Sequence, residues 1–178
     1  QHAARDIEEL DQLIGDLLLS SRIGGSGVSI GGPVDLLSLL TEEGARVGAE
    51  VGGQPLLVPG DAQALRRLMR NLLQNAVRHS GSPDVEAWVE PLPIDQRGAR
   101  IVVADRGPGI PPEVAERIFE PFYRKEGHSE GVDGGVGLGL ALVREIARGH
   151  HGDVRYVPRE GGGSQFEVDL PVISNVVL

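Results

Sequence analysis

The chain has 178 residues, 40% of them hydrophobic and 24% charged, which is material for one ordinary domain with a real core and argues against wholesale disorder. A net charge of −9, from 26 acidic against 17 basic residues with no basic run, disfavours a nucleic-acid surface. The lack of cysteine excludes disulfides, thiol catalysis and Cys-bearing zinc sites, and no apolar run approaches the ~20 residues of a membrane-spanning helix.

Residues 2–22 read as an amphipathic helix. Ile7, Leu10, Ile14 and Leu17 follow a 3-4-3 spacing along one stripe, widened by Leu13 and Leu18. Such a face needs helical partners, as in a bundle; packing on its own domain is the alternative. Residues 24–32 (GGSGVSIGG) form a flexible connector by composition. Pro33 opens a short helix to about Val47. Residues 49–51 and 56–58 are short strands, and Asp61 is the N-cap of a strong helix from Ala62 to about His79. Residues 85–90 and 100–105 cluster apolar residues as strands do. Residues 111–119 are a short helix, and 124–135 form an almost wholly polar loop. A helix resumes near Leu138 and ends near His150, before a hairpin of residues 153–157 and 165–170. This order predicts an α+β fold, a two-layer α/β sandwich with a mixed sheet, preceded by a long helix.

Glycine stands out: there are 26, where a usual share near ~7% would give roughly a dozen. Several accompany polar groups that suit chemistry. Asn71, Asn75 and Arg78 project from one face of the 62–79 helix. A carboxamide oxygen suits Mg²⁺, and a guanidinium suits phosphate. Taken alone, a solvated polar face explains this stripe better. Asp105 ends a strand and is followed by Arg-Gly107-Pro-Gly109, where a carboxylate can meet an exocyclic amine and the backbone can approach a planar ligand. An ordinary turn also accounts for it. The run from Gly134 to Leu140 (GGVGLGL) opens a helix and can cradle phosphate with backbone amides. It matches neither the dinucleotide fingerprint nor the P-loop pattern.

Together, NLLQNAVRHS (71–80), DRGPGI (105–110), ERIFEPFYR (116–124) and GGVGLGLALVREIARGHHGDV (134–154) resemble, in order, the asparagine, first glycine, phenylalanine and second glycine boxes of sensor histidine kinases. GGGSQFEVDLP (161–171) is similar to the closing strand of that catalytic domain. The resemblance extends to the wider superfamily of DNA gyrase, mismatch-repair ATPases and the ninety-kilodalton heat-shock chaperone, and covers about residues 33–171. It implies the Bergerat ATP-binding fold, with ATP and Mg²⁺ as cofactors. By the same resemblance Asn75 is the principal Mg²⁺ ligand, Asn71 assists at the phosphates and Arg78 contacts phosphate. Asp105 reads the adenine amino group, while Gly107, Gly109 and Ile110 border the base. Gly135, Val136, Gly137, Leu138, Gly139 and Leu140 wrap the phosphates at the hinge of an ATP lid, residues 124–135. Phe119 and Phe122 anchor that lid, and Arg124 is a further phosphate contact.

Hydrolytic members of the superfamily carry a glutamate general base where this chain has Asn71, so the resemblance implies phosphoryl transfer to a protein histidine rather than to water. None of His2, His79, His128, His150 and His151 lies in an acceptor motif. Residues 1–23 resemble the second helix of the dimerisation hairpin, and 24–32 a linker; 172–178 remain as a C-terminal tail. The chain begins with Gln1, so the acceptor helix and any membrane anchor are expected upstream, with this part cytoplasmic. The partners implied are the acceptor-histidine helix of the same kinase, homodimeric in full length, and a cognate response regulator. A hydrolytic ATPase or a non-catalytic nucleotide-binding scaffold are the alternatives.

Overall fold

The computed structural model describes residues 2–123 and 137–172. A long helix α1 (His2–Ser26) leads into β1 (Pro33–Asp35), α2 (Leu36–Val47), β2 (Glu50–Gly53), β3 (Leu57–Pro59) and α3 (Ala62–Ser80). Then follow β4 (Glu86–Pro91), β5 (Gly98–Ala104), two 3-10 turns at 112–114 and 117–119, α4 (Gly139–Gly149), β6 (Asp153–Pro158) and β7 (Ser164–Pro171). The main sheet runs β2-β4-β5-β7-β6, with β2 and β4 parallel and the other pairs antiparallel; β1 and β3 make a separate antiparallel pair. This is the predicted mixed sheet of an α+β sandwich.

Strand alternation sorts the sheet into two faces. Ala87, Val89, Ile101, Val103, Val154, Phe166 and Val168 point to a core shared with Leu65, Leu68, Leu72, Leu73, Val143 and Ile146 of α3 and α4. The other face is a charge ladder. Arg100 pairs with its register partner Asp169 at 2.6 Å, Arg155 with Glu167, and Arg159 with Glu86. Matched pairs there let a one-sided sheet face water while its other side is buried.

Local signals set most boundaries. Asp61 caps α3, its carboxylate accepting from Ala64 N at 3.0 Å. Asp35 caps α2 in the same way through Ser38 N. The expectation that Pro33 opens the helix is not met: Pro33 begins β1 opposite Pro59, where neither residue has an N–H to place, and the helix starts at Leu36. The 111–119 segment is two 3-10 pieces rather than one helix, each closed by i→i+3 bonds such as Val114 N to Pro111 O and Glu120 N to Arg117 O. Helix α1 runs past the expected end at 22 and through Gly24 and Gly25 to Ser26. It lies along α3 and α4, where tertiary contacts offset the roughly 1 kcal/mol each glycine costs a helix. Asp16 pairs with Arg67 at 2.5 Å, Arg22 with Asp61 at 2.9 Å, and Ser20 donates to Glu145 at 2.8 Å. Its stripe of Ile7, Leu10, Ile14, Leu17 and Leu18 nevertheless stays about half or more exposed.

Candidate functional site

The site is built where α3 meets the N-terminus of α4. The apolar positions of α3 (Leu65, Leu68, Leu72, Leu73 and Ala76) are buried in the core, which leaves its asparagines on the flank toward α4. Asn71 is 7% exposed and donates from Nδ2 to Gly139 O at 3.3 Å. That bond uses one donor of the carboxamide on the backbone of the second helix. Asn75, one turn on, is half-buried, and its side chain makes no hydrogen bond among the described residues. Arg78 follows on the same face and is exposed. The three residues thus run along α3 from the buried helix junction to solvent.

Helix α4 begins at Gly139 with Leu138 as its N-cap residue and no side-chain cap. Its first N–H groups thus have no capping side chain among the described residues, and they carry the positive end of the helix dipole. Gly137 stands just before them at φ +80°, where a Cβ would lie 2.8 Å from Tyr123 O. Leu138, Gly139 and Leu140 are all half-buried. Phe122 N donates to Gly137 O at 3.0 Å, so the backbone on the two sides of residues 124–136 is joined there. Phe119 is buried in the core, edge-on to Phe166 with Arg144 stacked 4.3 Å above its ring. Phe122 differs: its ring is exposed, its φ is +63°, and it holds its place through the backbone. The expected contacts Arg124, Gly135 and Val136, with the whole of the lid at 124–135, lie outside the described residues.

On the other side Asp105 ends the strand run and is only 2% exposed. Its Oδ1 accepts from Gly107 N at 2.8 Å and from Ser164 N at 3.4 Å. Oδ2 has no hydrogen-bond partner among the described residues. Oδ2 is not among the buried side-chain atoms without a partner, which among the described residues are Arg144 Nε and Arg159 Nη1, so it is open to a polar partner from outside. Gly107 lies so close to α3 that a Cβ would collide with His79 O. Gly109 sits at φ +75°, and Ile110 N donates to the Tyr156 hydroxyl at 3.0 Å.

Behind the site, the His150 ring ties the end of α4 to the start of α3. Nδ1 meets Ile146 O at 2.8 Å, which makes Nε2 the acceptor for Asp61 N at 3.0 Å. Burial holds the imidazole below its ordinary range, against opposing effects of the Ile146 carbonyl and the Asp61 charge. Tyr156, Gly163 and His150 all shape the site and are not among the residues read from the sequence. Gly163 belongs to the GGGS run already read as a strand start; a Cβ on it would strike Asp105 O. The only sequence sign at Tyr156 is an aromatic with a polar tip in an otherwise apolar strand position.

The arrangement fits a magnesium nucleotide in three respects. Among the described residues it has a helix start with no side-chain cap for phosphate, a carboxamide with no hydrogen bond for a hard cation, and a carboxylate oxygen available to an exocyclic amine beside a loop without side chains at 107 and 109.

Comparison with known proteins bears on the family and the fold. The sequence profile described as histidine kinase-, DNA gyrase B-, and HSP90-like ATPase matches residues 60–174. Sensor protein CutS of Streptomyces coelicolor is 37% identical over 175 residues, covering 93% of this chain and 42% of CutS. The solved mycobacterial sensor histidine kinase MprB superposes with a TM-score of 0.67 at 31% identity, covering 80% of this chain and 97% of that one. Full-length ShkA, solved in complex with AMPPNP, gives a TM-score of 0.68 at 28% identity over 97% of this chain and 38% of its own. The chain spans 33–42% of the length of the curated CutS and MprB relatives it matches.

Proposed function

The chain belongs to the histidine kinase-, DNA gyrase B-, and HSP90-like ATPase family, and from that premise we propose that residues 33–171 are the ATP-binding catalytic domain of a sensor histidine kinase. The observation that carries the reading is the docking of the Asn71 carboxamide on Gly139 O, which sets the asparagine face of α3 against the uncapped start of α4. Asn75 is the Mg²⁺ ligand, through its carboxamide oxygen, and Asn71 and Arg78 serve the phosphates. The backbone N–H groups that open α4 donate to phosphate oxygens, with Gly135–Leu140 and Arg124 around them. Asp105 accepts the adenine amino hydrogen on Oδ2, and Gly107, Gly109 and Ile110 form the wall of the base. Bound Mg²⁺ supplies charge neutralisation at the transferring phosphoryl group.

The chemistry is then one of position and charge. Position 71 holds an amide, which takes no proton from an attacking water at neutral pH. A histidine imidazole needs no such base, because it attacks through a nitrogen lone pair. The site therefore favours phosphoryl transfer to histidine over hydrolysis. Residues 1–23 are part of the dimerisation and phosphotransfer hairpin, with 24–32 as linker and 172–178 as tail; the exposed stripe from Ile7 to Leu18 supports this. The acceptor histidine lies on the hairpin's other helix, the full kinase is a homodimer, and a response-regulator aspartate receives the phosphoryl group. No described helix is long and apolar enough to cross a membrane, in keeping with a cytoplasmic position for this part.

Calorimetric titration with Mg-ADP and Mg-ATP tests the site. Both nucleotides bind the wild-type chain, Asn75→Ala weakens Mg-nucleotide binding at least tenfold, and Asp105→Ala does so for adenine nucleotides. Unchanged affinity in both variants contradicts the assignment.

A further inference from the structure

We propose that Tyr156 is a positioning residue for the base, holding the far edge of the loop that follows Asp105 through a single hydrogen bond to Ile110. The inference rests on the nucleotide-site reading above and adds to it a residue outside the family motifs quoted for that site.

The loop Asp105–Ile110 leaves the end of β5 with little to define its shape. Gly107 and Gly109 have no side chains to pack, and Pro108 has no N–H to bond. Its order must come from outside ties. Where it leaves β5, Asp105 N donates to Ser164 O of β7 at 2.9 Å and Asp105 Oδ1 accepts from Ser164 N at 3.4 Å; three further ties follow along it. At the near end Asp105 Oδ1 takes Gly107 N at 2.8 Å. In the middle the Arg106 guanidinium donates to Glu160 O at 2.9 Å and Gly162 O at 3.3 Å. At the far end Ile110 N donates to the Tyr156 hydroxyl at 3.0 Å. The first tie belongs to the base-reading residue itself, and the second hangs on an exposed side chain. Ser164 fixes the loop's start to the sheet, and among the described residues the Tyr156 bond alone fixes its far end there.

Tyr156 is itself held rigidly. It stands on β6 opposite Phe166 of β7, and the rings meet edge-on at 5.8 Å. Phe166 meets Phe119 edge-on at 6.2 Å, so one aromatic row joins the base loop to the phenylalanine box. The hydroxyl also limits the loop sterically, because a Cβ on Gly109 would sit 3.4 Å from it. Moving the loop's far edge shifts Gly107 and Gly109 relative to Asp105 Oδ2, the atom assigned to the adenine amine.

Tyr156→Phe removes the acceptor and keeps the ring. Two readings on the intact chain test the idea: the Kd for Mg-ADP, and amide hydrogen exchange resolved at Ile110, Gly107 and the core strands. The expected result is a Kd raised about threefold to tenfold, the range that one hydrogen bond commands. Faster exchange should accompany it at Ile110, with β5 and β7 amides unchanged. A merely structural contribution would instead speed exchange across the core. Unchanged Kd, unchanged Ile110 exchange, or acceleration spread over β5 and β7 each overturns the proposal. Failure of the wild-type chain to bind Mg-ADP overturns the nucleotide reading itself, a result distinct from any of these.

Discussion

Asp105 commits one carboxylate oxygen to backbone N–H groups and keeps the other without a partner among the described residues, although the side chain is almost wholly buried. That second oxygen is not one of the buried atoms without a partner, so it is open to a ligand's donor. His150 shows the opposite case, with both ring nitrogens engaged and the imidazole held neutral by burial. Because its folded pKa lies below the unfolded value near 6.5, the unfolded state takes up the proton first as pH falls. Stability is therefore complete above about pH 6.5 and declines below it, by at most ~1.4 kcal/mol per pH unit, until the folded pKa is passed. Urea midpoints between pH 7.5 and 5 should show this slope in the wild type and a flatter one in His150→Gln, whose amide can still accept from Asp61 N. Equal slopes would mean that His150 does not titrate on unfolding. The depressed carboxyls of Glu43, Asp153 and Asp169 act only below about pH 4.5 and leave that window clear. Asn71, Asn75 and Asp105 drew notice because polar groups in a helix and after a strand break the local pattern, but a solvated face and an ordinary turn also fit them, and their proposed roles came from the resemblance alone. Tyr156 and His150 drew none, since their partners Ile110 and Asp61 lie 46 and 89 residues away.

At the scale of elements, capping residues and apolar periodicity located α3, α4 and the four long strands closely, because these signals are local. Strand β1 escaped notice: its pairing partner is β3, and a Pro three residues before an apolar run reads more readily as a helix start. The end of α1 was missed for a similar reason, since what carries it through two glycines is contact with α3 and α4. The tie between α2 and α3 was invisible too. Glu43, with a fully buried side chain, accepts from Arg70 at 2.8 and 3.1 Å and from Arg66 at 3.0 Å. Burial pushes its carboxyl up, yet the hydrogen bonds from Arg70 and Arg66 prevail and hold it below the ordinary range. Glu43→Ala strips two arginines of their shared acceptor. Both are about a third exposed and can rehydrate, so the cost should be about 2–3 kcal/mol rather than the upper end for a buried pair. Equilibrium urea unfolding checks this, and a loss below 0.5 kcal/mol, the level of an exposed pair, would contradict it.

For the whole molecule, the layout places two surfaces at opposite duties. Helices α3 and α4 present the asparagine face and the uncapped helix start, while α1 lies along the same pair of helices and keeps its apolar stripe outward. The glycine surplus divides along the same line. Eight of the 26 fall between Gly107 and Gly139, about the base loop and helix start, and nine between Gly24 and Gly53, about the connector and the first short strands. A nucleotide domain joined to a hairpin helix accounts for both groups, and a free-standing hydrolase leaves the outward stripe unused. The most direct measurement supplies the chain with Mg-ATP labelled at the γ-phosphate and, in trans, a dimerisation hairpin that carries an acceptor histidine. The account predicts acid-labile, base-stable label on the hairpin, lost with Asn75→Ala, and little phosphate released without the hairpin. Sustained phosphate release from the chain alone, with the hairpin left unlabelled, would contradict it.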